Sequence, residues 1–380
     1  MLRHFCLPCV FPNCFIRDKP DLYVAKHVFK TNSNQSKFKP INIECAAMDT
    51  EQRPDSPADF SADFKDKLSR YFSWGMLFFL IAYLVNNTLV HSQKWPGIKT
   101  ISSSMADWRF WVQLAIYAAA LLLAWLLVKQ RGRSLRADAA TITAINTYII
   151  RSLFWAVFFI GLADMAISFL RVENLLSLVF DEQLTKDLGR PQFRGPMVHM
   201  PLLALGFVVG AITRTLGFHW LALLIVIAEL AIVITRFIFS YEQAFMGDLV
   251  RFWYAALFLF ASAYTLLQEG HVRVDIFYSA MRKTRKGFVN SFGAVFFGMA
   301  LCWTIIVIGL GGKSAIIYGP LANFEVSQSG FGMYTKYWMA GFLGVFAITM
   351  LLQFTAQFLE SVADVRQQPG GRNIATEVAH

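Results

Sequence analysis

Two acidic residues lie inside long apolar stretches of this 380-residue chain. Asp164 is found in "FFIGLADMAISF" and Glu229 in "LLIVIAELAIVI". An ionised side chain at the centre of a bilayer costs about 2.5–3.5 kcal/mol, so such residues mark ion pathways or polar contacts between helices. Two interpretations stay open: the acids relay protons or bind a cation, or they accept hydrogen bonds from partner helices or stay protonated. Because no cluster of Asp, Asn or His accompanies them, the pattern favours the structural interpretation.

Other chemistry finds little support in the residue types. A haem held between membrane helices needs two histidines that face each other within the bundle. The histidines near the apolar stretches instead lie at their ends or in a polar motif: His91, His199, His219 and His271. The chain also lacks a nucleophile elbow, a phosphate-binding Gly loop and a His-Glu-x-x-His helix. We therefore expect no catalytic residue, no metal ion and no cofactor.

The composition is that of a membrane protein. Hydrophobic residues make up 56% of the chain and charged residues only 16%, whereas a soluble protein carries roughly 25% charged residues. The 35 Lys and Arg residues outnumber the 25 Asp and Glu residues, and they are scattered between apolar runs. Scattered bases suit lipid head groups, whereas a nucleic-acid site clusters them on one polar face. A membrane-lipid environment is expected, and nucleic-acid binding is not.

Apolar stretches long enough to cross a bilayer define the fold class. About 20 predominantly apolar residues span the hydrocarbon, because only a helix closes its own backbone hydrogen bonds there. The predicted spans are Tyr71–Val90, Trp108–Val128, Ile149–Leu170, Met197–Ile212, Trp220–Phe239, Leu249–Leu267, Phe288–Leu310 and Tyr337–Phe358. Apolar residues at helical spacing from Val172 to Leu188 predict an interfacial amphipathic helix that lies flat. A second such helix is predicted after Asp275. The chain is thus predicted to be an all-α, polytopic bundle of eight transmembrane helices.

The basic loops indicate the orientation. Lys and Arg prefer cytoplasmic loops. One run of bases follows the second span and another precedes the seventh: Lys129, Arg131, Arg133 and Arg136, then Arg282, Lys283, Arg285 and Lys286. Both runs fall on one side, which we assign to the cytoplasm together with both termini. The chain is expected in a bacterial inner membrane.

Residues 1–70 differ from the rest of the chain. Four of the five cysteines lie there: Cys6, Cys9, Cys14 and Cys45. The first three have spacing that a zinc site can use, but no second ligand pair follows at the usual distance. The segment is expected to be a disordered cytoplasmic tail. Its composition changes at Met48, which suggests that translation starts there and that residues 1–47 are not part of the native chain.

The string "QEGHVRVDIFY", Gln268–Tyr278, is the most specific motif. With it, the last four spans resemble the small permease subunit of tripartite ATP-independent periplasmic (TRAP) transporters, over about Phe218–Val365. That family has an Arg-aromatic-x-Phe element closing its first helix, an acidic residue opening its second, and a His-Val-x-Val-Asp signature after the second. The matching residues here are Arg236, Phe237, Phe239, Asp248, His271, Val272, Val274 and Asp275.

The resemblance implies a non-enzymatic scaffold. Such a subunit binds a large permease that carries the ion sites and the moving domain, while a periplasmic protein delivers an organic acid. Arg236, Phe237, Phe239 and Asp248 are then candidates for contacts with these partners. For the cytoplasmic signature turn, which also contains Arg273, a role in local folding is expected.

Residues 71–212 lie outside the resemblance and form an added four-helix region. The division expected is a tail at 1–70, the added region at 71–212, a small-permease-like domain at 213–365 and a tail at 366–380. The alternative function is a self-sufficient secondary carrier or channel that uses Asp164 and Glu229.

Overall fold

The computed structural model describes residues 64–97, 107–130, 132–214, 218–241, 244–268, 278, 280–326 and 332–370. These residues form helices and connecting turns, without a strand among them. The helices are α1 (Phe64–Ser92), α2 (Trp108–Gln130), α3 (Leu135–Val172), α4 (Leu176–Val179), α5 (Glu182–Leu188), α6 (Pro191–Ile212), α7 (Phe218–Ile238), α8 (Ala244–Leu267), α9 (Lys283–Leu310), α10 (Tyr318–Asn323) and α11 (Lys336–Val365). Residues 1–63 and the signature residues 271–275 lie outside the described part.

Eight of these helices are long and apolar enough to cross a membrane, which confirms the predicted polytopic helical fold. They are α1, α2, α3, α6, α7, α8, α9 and α11. The longest of them, α3, has 38 residues and is therefore about 57 Å long at 1.5 Å per residue. It begins at Leu135 rather than Ile149, because the Ser134 side chain caps it by accepting a hydrogen bond from the Ala137 N–H.

Two hydrophobic cores hold the described bundle together, and α3 and α11 contribute to both. One core joins them to α1, α2 and α9 through buried residues such as Leu80, Ala124 and Ile306. The other joins them to α7 and α8 through residues such as Ile225 and Trp253. The described residues from Phe64 onward accordingly form one compact unit. The division into an added region and a small-permease-like domain stays a prediction about sequence segments, and helices from both segments share both cores.

Glycines bring α6 against α3. A Cβ on Gly206 would lie 2.5 Å from the Ala156 backbone nitrogen, and one on Gly210 would lie 2.7 Å from the Ser152 Cα. These four small residues occur at four-residue spacing on both helices, the arrangement that lets membrane helices approach backbone to backbone. The close approach fixes how the start of α6 faces the end of α3.

The predicted cytoplasmic end of the bundle contains ion pairs between helices. Arg70 of α1 donates from Nε to Asp138 Oδ2 of α3 at 2.6 Å, with both side chains buried. Arg136 donates from Nη2 to Asp364 Oδ1 of α11 at 2.7 Å. These ion pairs tie α1, α3 and α11 together where the sequence predicted only the ends of separate spans.

The connection between α3 and α6 differs from the single flat helix that its apolar spacing predicts. It contains two short helices, α4 and α5, separated at Phe180 and Asp181. Leu176 and Leu188 are buried, while Val179 and Leu184 are 60% and 36% exposed. The predicted apolar face is therefore divided between core and surface, because the chain bends within it.

Candidate functional site

A buried polar network lies where the end of α3, the start of α6 and the start of α11 meet. Asp164 lies eight residues before the last residue of α3, and Arg194 and His199 lie within the first three turns of α6. Tyr334 directly precedes the Thr335 that caps α11. Under the predicted orientation all of them lie at the periplasmic end of the bundle.

Asp164 is fully buried and accepts three hydrogen bonds. Its Oδ1 accepts from Arg194 Nη1 at 2.7 Å and faces His199 Nε2 at 3.2 Å. Its Oδ2 accepts from the Tyr334 backbone N–H at 2.8 Å. Arg194 is buried as well, and its remaining donors, Nε and Nη2, go to the Leu188 carbonyl at 3.0 and 2.7 Å. The charged pair is thus compensated within the protein, as a buried ion pair requires.

His199 links this pair to α11. The Trp338 indole Nε1–H donates to His199 Nδ1 at 3.1 Å, and the Tyr337 hydroxyl lies 2.6 Å from the same nitrogen. A nitrogen that accepts the indole N–H carries no proton itself, so the hydrogen of a neutral imidazole is on Nε2. His199 then donates to Asp164. The hydrogen bonds therefore run in one direction: Trp338 of α11 donates to His199, and His199 donates to Asp164.

Tyr334 is held on several sides. Its ring lies under the guanidinium of Arg194 at 4.2 Å and that of Arg171 at 4.7 Å, measured to the ring centroid. Its hydroxyl donates to the Gly189 carbonyl at 3.0 Å. Arg171 also donates from Nη2 to the Gly332 carbonyl at 2.8 Å. The turn before α11 is therefore fixed by contacts from α3 and from the start of α6.

Local backbone structure positions His199. Residues Gly195–His199 of α6 form a π-helical turn. Pro191 begins α6, where a missing N–H breaks no helical hydrogen bond, whereas Pro196 lies inside the π-helical turn and has no N–H to donate to the preceding turn. At Gly195 a Cβ would meet ring atoms of Phe324, including Cδ1 at 2.7 Å. Only glycine lets this turn approach α10 so closely, and the approach brings His199 to Tyr337.

Asp248, a predicted partner-contact residue, holds the same turn from α8. Its Oδ2 accepts the Met333 backbone N–H at 3.1 Å, and its Oδ1 lies 3.7 Å from Arg251 Nη1. Asp164 and Asp248 thus bind adjacent backbone N–H groups, those of Tyr334 and Met333. This intramolecular contact was not predicted, and the proposed contact of Asp248 with a partner stays a prediction.

The other candidate residues lie on the exposed surface of α7 or directly after its last residue. Glu229 and Arg236 are exposed, and Phe237 and Phe239 are 78% and 69% exposed. Among the described residues, no group forms a hydrogen bond or ion pair with the Glu229 or Arg236 side chain. No such contact joins Glu229 to Asp164 either. The paired use of these two acids by a carrier therefore stays a prediction without support from the described contacts.

Chemically, the network holds groups in place. Both Asp164 oxygens have donors, the Arg194 charge is balanced, and the described residues include no group of three His, Cys, Asp or Glu residues that could hold a metal ion. Sequence reasoning missed Arg194, His199 and Tyr334. One signal was present: α3 and α6 are consecutive, antiparallel membrane helices, so bases at the start of α6 lie at the depth of an acid near the end of α3.

Residues 223–364 match the family model of the DctQ component of tripartite ATP-independent periplasmic transporters. This segment is a DctQ domain. The match confirms the resemblance inferred from the sequence, and the family is a transporter component rather than an enzyme family. Comparisons with curated proteins and with solved structures gave no match.

The DctQ domain covers most of α7 and all of α8, α9, α10 and most of α11. Tyr334, Tyr337 and Asp248 belong to it, whereas Asp164, Arg194 and His199 precede it. The buried network therefore joins the helices that precede the DctQ domain to the turn that begins its last helix.

Proposed function

We propose that this protein is the small membrane subunit of a TRAP-type secondary transporter. In that role it scaffolds the large permease during ATP-independent uptake of an organic acid, driven by a cation gradient. A periplasmic binding protein delivers the substrate. The DctQ domain at residues 223–364 is the observation that carries this proposal.

The packing of the described residues supports a static role. A carrier that moves through alternating states needs an element with two arrangements. Here the intramembrane charges at Asp164 and Arg194 are paired and buried, and the turn at 332–334 is held by three helices. Such contacts favour one fixed arrangement, which suits a scaffold against which another subunit moves.

The added helices belong to the same scaffold in this proposal. Arg171 and Asp164 of α3 and Arg194 of α6 all contact residues 332–334 of the DctQ domain. Without the preceding helices, the turn at 332–334 would keep only its contact with Asp248 of α8 among those described above. In this proposal, the added region stabilises the DctQ domain by direct contacts and does not fold separately from it.

Co-expression with a large TRAP permease subunit tests the proposal. The small subunit carrying an affinity tag should retain the large subunit through purification in detergent. Uptake of a labelled carboxylate into proteoliposomes should require both subunits, the binding protein and a cation gradient. Transport by this chain alone, or purification without the large subunit, would contradict the proposed function.

The proposed inner-membrane orientation has a separate test. A membrane-impermeant maleimide should label Lys186→Cys, in the connection between α3 and α6, from the periplasm of intact cells. It should label Lys283→Cys, at the start of α9, only after the cells are opened. The opposite pattern would reverse the assignment of both termini to the cytoplasm.

A further inference from the structure

The carboxylate of Glu229 lies in the middle of a membrane helix, and none of the described residues is its partner. Glu229 is the twelfth of the 21 residues of α7, which places it near the centre of the span. The residue is exposed, and no described residue forms a hydrogen bond or ion pair with it. Asp164, the other acid in an apolar stretch, is fully buried and has three donors. The two acids therefore have opposite surroundings.

Lipid is a poor neighbour for this side chain. Acyl chains offer no hydrogen-bond donor, and a charged group at the bilayer centre costs about 2.5–3.5 kcal/mol even on the insertion scale. Protonation removes the charge but leaves polar oxygens without partners in hydrocarbon. Intramembrane acids commonly face protein for this reason. The exposed face that carries Glu229 should then be covered by protein in the assembled transporter.

The helix around Glu229 has the surface of a contact site. Only 17% of the most apolar stretch of α7 is buried, the lowest share among the described spans. Val226, Val233 and Arg236 are exposed at three-, four- and seven-residue spacing from Glu229, and so lie on the same side of the helix. Arg236 lies about 10 Å further along the axis, near the end of α7. An acid in mid-membrane and a base at the membrane edge thus mark one continuous face.

Resting on the proposed function, we propose that the Glu229 face of α7 binds a membrane helix of the large permease subunit. That helix presents a hydrogen-bond donor to Glu229 at mid-membrane depth. Charge complementarity selects this occupant: a carboxylate in hydrocarbon requires a donor, and a transmembrane protein segment supplies one where acyl chains do not. The face is defined by Val226, Glu229, Val233 and Arg236.

Photo-crosslinking tests the location of the face. A photoreactive phenylalanine analogue replaces Val226 or Val233 in the complete chain, co-expressed with the large permease subunit. The control position is Leu122 of α2, which is 54% exposed and lies on a different span. We expect crosslinks to the large subunit from Val226 and Val233 at least tenfold above those from Leu122. Equal yields at all positions, or crosslinks to a second copy of this chain or to lipid alone, would overturn the proposal.

Substitution of Glu229 tests the polar contact. Glu229→Leu should reduce the large subunit retained after detergent washing at least tenfold, because it leaves the partner's donor unpaired. Glu229→Gln, which keeps a hydrogen-bonding oxygen, should retain more, and the control Leu122→Val on α2, outside this face, should match the unaltered chain. The thermal unfolding midpoint of the isolated small subunit should not fall in Glu229→Leu. Unchanged retention in Glu229→Leu would refute the inference.

The two proposals fail in distinguishable ways. If the unaltered chain retains no large permease, the proposed function itself is wrong. If the unaltered chain retains it and both the crosslinking and substitution results are negative, the function stands and only the assignment of this face is wrong.

Discussion

Removal of the Asp164 charge should be among the most destabilising single changes in this protein. Asp164→Asn keeps the size of the side chain but leaves the buried Arg194 guanidinium without a counter-charge at 2.7 Å. Breaking a buried ion pair by removing one partner costs about 3–5 kcal/mol. The amide also replaces one of two acceptor oxygens with a donor, which disfavours the bonds from His199 or Tyr334.

A double variant shows whether the cost comes from the unpaired charge. Arg194→Met alone breaks the same pair and leaves Asp164 as a buried carboxylate with only neutral donors, which should also cost about 3–5 kcal/mol, and it removes the two donors on the Leu188 carbonyl. Asp164→Asn combined with Arg194→Met leaves no uncompensated charge. We therefore expect the double variant to lose less stability than the sum of the single variants.

Thermal unfolding in detergent, followed by the loss of the monodisperse size-exclusion peak, measures these effects. A loss of 3–5 kcal/mol corresponds to a fall in midpoint on the order of 5–10 °C. The matched control is the exposed pair of Lys186 and Glu182 at 3.9 Å, where Glu182→Gln should change stability by less than about 0.5 kcal/mol. If Asp164→Asn unfolds at the temperature of the unaltered protein, or if the double variant shows purely additive losses, the reasoning is refuted.

Three further predictions concern packing and the opposite end of the bundle. Gly206→Leu should separate α6 from α3 and lower the unfolding midpoint by several degrees, because even a Cβ has no space there; an unchanged midpoint would contradict the close approach. Gly161→Ala should displace the buried Trp253 indole that lies against it, shift the tryptophan fluorescence spectrum and cost about 1–3 kcal/mol, whereas an identical spectrum would argue against the contact. Arg70→Met should leave Asp138 as an uncompensated buried carboxylate and cost about 3–5 kcal/mol in the same thermal assay, and Asp138→Asn combined with it should restore part of the loss.

The eight spans could be predicted from the sequence because the lipid surroundings restrict which backbone structure an apolar stretch can adopt. A stretch of about 20 apolar residues has no stable alternative to a helix in hydrocarbon. The ends were less accurate where polar residues are buried in protein. Asp138 and Asn146 interrupt the apolar run before Ile149, yet both lie inside α3, paired with Arg70 and with the Thr349 carbonyl of α11. Hydropathy alone places these residues outside the membrane, because a hydropathy value does not include the hydrogen bonds that a buried polar side chain forms with other helices.

The buried network was harder to predict because its contacts join distant parts of the chain. Asp164 and Tyr334 are 170 residues apart, and nothing near Tyr334 indicates that its N–H points at a carboxylate. The pairing of Asp164 with Arg194 was easier to predict, because the two residues are 30 positions apart in the sequence and lie on neighbouring antiparallel helices. His199 depends on the π-helical turn of α6, a backbone feature that the residue pattern does not indicate.

Asp164 and Glu229 produce the same sequence signal and reach different outcomes. Both are acids within apolar helices, and the physical requirement on each is a donor. Arg194, His199 and Tyr334 supply donors to Asp164 from within the chain, which makes it part of the fold. No described residue supplies one to Glu229, and it lies within the DctQ domain on the least buried span. A polar requirement that the described fold leaves unmet is the basis for the proposal that a large permease subunit covers this side of α7.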